Sequence, residues 1–137
     1  MRAVLDTNVF VSGLLVKESI PDHILRAFIK EKFVLIISLE IVSEIWEVLN
    51  RPRFNLKKHK ILEIMDALGI KAEKVTLPTP KKKTPLVPED PDDEKFLWCA
   101  EKGKANYLVS GDIHLLKLNR YKSTRIVTPK EFIRLLP

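Results

Sequence analysis

Short apolar runs alternate with stretches of helical periodicity along most of this chain. Ala3-Val4-Leu5 is apolar throughout and ends at Asp6, and Val34-Leu35-Ile36-Ile37 is apolar at four successive positions. Runs without polar alternation suit strands buried on both faces, as in a parallel sheet. A third strand is expected within 72–77, a fourth at Tyr107-Leu108-Val109 and a fifth at Ile126-Val127. Helical spacing runs from Val9 to Val16, and again from Pro21-Asp22 through Ile29, with the proline in the first turn. Ser38 reads as the N-cap of a helix carrying Ile41, Ile45, Val48 and Leu49, which Pro52 ends. A basic amphipathic helix is expected from Leu56 to Leu68, with Ile61, Ile64, Met65 and Leu68 as its stripe and Gly69 as its stop. Further helices are expected from the Asp90–Glu94 cluster to Lys102, after Asp112, and after the capping box Thr128-Pro129-Lys130-Glu131. Strands alternating with helices predict an α/β fold: a three-layer α/β/α sandwich around a central five-stranded parallel sheet.

At 137 residues the chain is one domain's worth, read as a single unit over 1–137. Residues 78–91 hold five of the nine prolines together with Lys81-Lys82-Lys83. That stretch lacks periodicity and is read as an extended surface loop near the site, not a linker. No apolar run approaches the ~20 residues of a membrane span. The start reaches Asp6 too soon for a signal peptide, so a cytoplasmic protein is expected.

Cys99 is the only cysteine, and His23, His59 and His114 are scattered. Any metal must then be held mainly by oxygen, which suits Mg²⁺ or Mn²⁺. The net charge of +6 agrees with a polyanionic partner, but a lysine-rich surface explains it equally well. The acids therefore carry the argument.

Ligands of open parallel sheets bind beyond the carboxyl ends of the strands. Asp6 directly follows the first strand, and Asp112 lies just past the fourth. Each has an ordinary reading as a turn residue or N-cap. Thr7, Asn8 and Ser110 flank them as short polar groups suited to supporting hydrogen bonds. Glu44 lies mid-helix between Glu40 and Glu47, so a solvated acidic face competes with a reach back over the strand ends. Capping alone accounts for Asp90 and Asp92. Asp93 instead aligns at helical spacing with Phe96, Leu97 and Ala100 and should face inward, where an acid needs a partner. Two carboxylates about 4 Å apart repel by about 4 kcal/mol at an effective dielectric of 20. Either a cation neutralises such acids or they do not converge.

With these residues in view the chain resembles the PIN-domain family of nucleases along nearly its whole length. Val4-Leu5-Asp6-Thr7-Asn8-Val9 looks like the opening motif of that family. Ser38 and Glu44 with Leu49-Asn50-Arg51-Pro52-Arg53-Phe54 look like its second block. Asp90-Pro91-Asp92-Asp93 with Phe96, Leu97, Ala100 and Gly103 look like its third, and Val109-Ser110-Gly111-Asp112 with Leu115-Leu116 like its fourth. The resemblance implies an interior first strand and an acidic site that binds one or two Mg²⁺ or Mn²⁺ ions and cleaves RNA. It maps the acids onto Asp6, Glu44, Asp93 and Asp112, with Asp92 as the alternative third acid, and the polar supports onto Asn8 and Ser110. The subgroup it most resembles is the VapC-like toxin of toxin–antitoxin pairs, which implies an antitoxin partner.

Two rivals stand beside this reading. Asp6-Thr7-Asn8 with a later Gly111-Asp112 has features of haloacid-dehalogenase-like phosphatases. Asn8, however, stands where those enzymes need an aspartate, and Ile113 to Leu118 offers no further acid. The other rival is a non-catalytic RNA-binding or regulatory PIN module. Lys81, Lys82, Lys83, Arg51 and Arg53 are the expected RNA phosphate contacts, against the plain reading of a solvated charge run. A homodimer is expected, with the Leu56–Leu68 helix contributing, although core packing is the ordinary use of its stripe.

Overall fold

The computed structural model describes residues 1–77 and 93–137. Lys81, Lys82, Lys83, Asp90 and Asp92 lie outside them. In chain order the elements are β1 (Arg2–Leu5), α1 (Thr7–Leu15), α2 (Ile20–Ile29), β2 (Val34–Ser38), α3 (Leu39–Leu49), a 3-10 turn (Pro52–Phe54), α4 (Lys58–Lys71) and β3 (Glu73–Val75). After the undescribed stretch come α5 (Glu94–Lys102), β4 (Tyr107–Val109), α6 (Ile113–Leu116), β5 (Arg120–Tyr121), β6 (Thr124–Val127) and α7 (Pro129–Leu135).

The sheet order is β3-β2-β1-β4-β6-β5. Five strands are parallel, and β1 lies inside the sheet between β2 and β4. Val4, Leu35, Ile36, Ile37 and Leu108 are all buried, including neighbours that point to opposite faces. Helices therefore cover the sheet on both sides, as the unalternated apolar runs required. Among the described residues, no helix is long and apolar enough to cross a membrane.

Local chemistry explains most element starts. Ser19 and Ser38 cap α2 and α3 with their hydroxyls, and Thr128 and Glu131 complete a reciprocal capping box on α7.

Two expectations are corrected. The sheet has six described strands instead of five: Arg120–Tyr121 folds back antiparallel onto β6, pairing Arg120 with Arg125 and Tyr121 with Thr124. Asn119 and Lys122 adopt left-handed backbone at either end of that short strand. A two-residue strand is too short to leave a period in the sequence. Gly69 does not end α4 either. The helix continues to Lys71, and no described glycine has positive φ. Ile61, Ile64 and Leu68 are buried in the core, which is the ordinary use foreseen for that stripe.

Candidate active site

The strand ladder itself positions the first two acids. One residue beyond β1, the Asp6 N–H donates to Val109 O at 2.9 Å, and one residue beyond β4, the Ser110 N–H donates to Val127 O at 3.0 Å. Asp6 is thereby set beside Ser110 at the carboxyl edge, where the chain leaves β1 for β2 on one side and β4 flanks the other. Asp6 is buried, and its two oxygens have separate tasks. Oδ1 caps α1 by accepting the Asn8 N–H at 3.3 Å, and Oδ2 accepts the Ser110 hydroxyl at 2.7 Å. Ser110 Oγ also accepts the Asp112 N–H at 2.9 Å, so one buried hydroxyl ties the two acids together. Asp112 in turn caps α6, accepting the His114 N–H at 2.8 Å. The capping readings of Asp6 and Asp112 are thus both realised, but capping uses only one Asp6 oxygen.

Asp93 behaves differently. It immediately precedes α5 and is buried, yet its side chain makes no capping bond. A side-chain hydrogen bond with Asp93 is instead the largest influence on Asp112, and holds that carboxyl below its ordinary range. Burial of Asp112 opposes this, while the His114 N–H and ring charge assist it. Two carboxyl groups can share a hydrogen bond only around a proton, the position a cation fills when both are ionised. Asp6 is shifted the other way. Burial raises it most; Ser110 and the Asn8 N–H pull it down; the charges of Asp112 and Glu44 push it up again.

Glu44 projects from α3 towards α1. Thr7 Oγ1 donates to its Oε2, and Lys95 Nζ donates to its Oε1 at 2.5 Å. Thr7 thus supports Glu44, while Asn8 supports Asp6 through its backbone and leaves an exposed side chain. Glu40 and Glu47 are exposed, and Glu47 pairs with Arg51 at 3.0 Å. Arg53 stacks over the Phe54 ring, 4.9 Å from its centroid. No described contact joins either arginine to the four acids. Lys95 is the residue that sequence reasoning missed. Its signal was a lysine two positions after an inward-facing acid, in a first turn where helix electrostatics favour anions.

The donor set is oxygen only and anionic, and it contains a carboxyl pair that needs shared positive charge. This chemistry fits a hard divalent cation. Among the described residues, however, no three His, Cys, Asp or Glu side chains are gathered closely enough to form a ready ligand set. Glu44 is occupied by Thr7 and Lys95, and uncompensated carboxylates hold apart.

Residues 2–114 match the family model described as PIN domain. The chain is also similar to an uncharacterised protein of Methanocaldococcus jannaschii, 32% identical over 144 residues, covering 97% of this chain and 90% of that protein. The mostly parallel α/β sheet agrees with that family. The chain belongs to the PIN-domain family, whose members are generally nucleases that use divalent metals.

Proposed function

We propose that the protein is a Mg²⁺- or Mn²⁺-dependent endoribonuclease. The observation that carries this reading is the Ser110 hydroxyl that ties Asp6 to Asp112 at the carboxyl edge of the sheet, with Asp93 bonded to Asp112 where it would otherwise cap its helix. Asp6, Asp93 and Asp112 would hold the cation, with Glu44 joining on release from its present partners. Such an ion supplies charge neutralisation at the phosphate and an acidified water as nucleophile. Ser110 keeps Asp6 and Asp112 in fixed relation, and Thr7 orients Glu44. The net charge of +6 supports a polyanionic substrate, and RNA is the class proposed. Arg51, Arg53 and Lys81–Lys83 are proposed as peripheral phosphate contacts.

Thermal melts with and without Mn²⁺, paired with cleavage of a fluorogenic RNA with and without chelator, test the proposal. Wild type gains stability on adding metal, because a ligand bound only by the native state stabilises it. Asp6→Asn and Asp93→Asn lose that gain and the cleavage, whereas Asp90→Asn and Asp92→Asn keep both. RNA binding without metal-dependent cleavage would favour the non-catalytic module. A response lost in Asp92→Asn and kept in Asp93→Asn would move the third ligand by one residue. A toxin role further requires that expression of wild type alone arrests growth and that Asp6→Asn does not. The proposed homodimer is checked by sedimentation.

A further inference from the structure

The Lys95–Glu44 pair is unlike the other described ion pairs. The Lys95 side chain is 19% exposed and that of Glu44 29%, whereas the cations of the other pairs are 33% exposed or more. Withdrawing an ion pair from water costs desolvation that its attraction barely repays, so the pair is a poor device for stability alone. Local electrostatics argue the same way. Lys95 is the second residue of α5, and a cation in a first turn opposes the helix dipole. A lysine placed against both tendencies marks a position where positive charge is wanted. Its ammonium is held by one anion, which at present is Glu44. An ammonium that holds a carboxylate oxygen is equally suited to a phosphate oxygen.

Resting on the nuclease reading above, we propose that Lys95 is a phosphate-contacting residue of this site, stored on Glu44 until substrate arrives. While Lys95 holds Oε1 and Thr7 holds Oε2, each oxygen of Glu44 already accepts one bond and the ammonium offsets its charge, which weakens its pull on a cation. When Lys95 transfers to a non-bridging oxygen of the RNA backbone, one movement frees Glu44 for the cation and places an ammonium on the substrate. Lys95 therefore competes with the cation in the absence of RNA and assists the reaction in its presence.

The two roles predict opposite signs for one variant. Lys95 Nζ also lies over the Phe96 ring, 5.5 Å from its centroid, and Lys95→Met keeps an unbranched stem there while removing the charge. Mn²⁺ binding to the full chain without RNA, read by electron paramagnetic resonance of free Mn²⁺, should tighten about two- to fivefold, the range for a part-exposed ion pair. RNA cleavage should show a raised KM, and the slope of log(kcat/KM) against log[salt] should flatten by about 0.7, one single-strand phosphate contact. Lys95→Arg should restore the salt slope. Weaker Mn²⁺ binding by Lys95→Met would mean that Lys95 merely holds Glu44 in place, and would overturn the proposal. An unchanged KM and salt slope in an active variant would overturn it while leaving the nuclease reading intact. Wild type that neither binds Mn²⁺ nor cleaves RNA would overturn both.

Discussion

Ser110→Ala tests the core of the site, because one hydroxyl serves two acids. Ser110 Oγ donates to Asp6 Oδ2 at 2.7 Å and accepts the Asp112 N–H at 2.9 Å, and Ser110 is fully buried. Losing a hydrogen bond to a buried charged acceptor costs about 1.5–3 kcal/mol. The Asp112 N–H left behind adds about 1 kcal/mol, the low end for an orphaned donor, because Asp112 is only half-buried and water can replace the bond. Together these give a loss of about 2.5–4 kcal/mol at neutral pH. The sign of the pH dependence follows from Asp6. Burial raises its pKa above the ordinary 3.8, and the bond from Ser110 partly offsets this. A carboxyl raised in the native state weakens the fold above its native pKa, and that penalty is relieved as pH falls through the native value towards 3.8. Ser110 favours the charged form, so the variant's deficit is greatest above the native pKa of Asp6 and shrinks as pH falls through it. Urea titrations from neutral to acid pH measure the deficit, first in wild type and then in an Asp6→Asn background. With the charge gone, it should fall by about half, towards the value of a neutral bond. A deficit that is equal at every pH and in both backgrounds would refute the argument and leave Ser110 as a packing residue.

Three further outcomes follow from the fold. Gly69→Ala should stabilise the protein by about 0.5–1 kcal/mol, because Gly69 is helical and a Cβ there meets nothing within 4 Å; destabilisation in a urea titration would contradict the helical assignment. Gly103→Ala should cost about 1–3 kcal/mol, because its Cβ would stand 2.4 Å from Cγ2 of the buried Ile36; a neutral result would show that β2 and the end of α5 are less closely packed. Burial, with the nearby Glu40 charge, pushes the Cys99 thiol up to about 12, so a thiol reagent should label it only as fast as the protein opens. Native-state labelling at the rate of an exposed thiol would contradict that.

What the chain determines by itself is local. The apolar runs at β1, β2 and β4 specify buried strands, and the hydroxyls of Ser38 and Thr128 mark helix starts, because neighbouring residues decide those structures. Asp6 and Asp112 were legible as candidate residues at the carboxyl edge for the same reason: each follows a strand whose end can be read from its own sequence. The remaining features depend on contacts across long separations. The strand order brings Ser110 onto Asp6 across 104 residues and Lys95 onto Glu44 across 51. Periodicity assigns a face to Glu44 but not the neighbour on it, so its choice between solvent, Thr7 and Lys95 was open until α1, α3 and α5 were packed. Asp93 shows the difference most directly. Its position before α5 is that of a cap, and helical spacing turns it inward. Only the packing of α5 against β4 and its neighbours in the sheet brings Asp112 within reach, so that a carboxyl which would otherwise serve its own helix bonds to another acid.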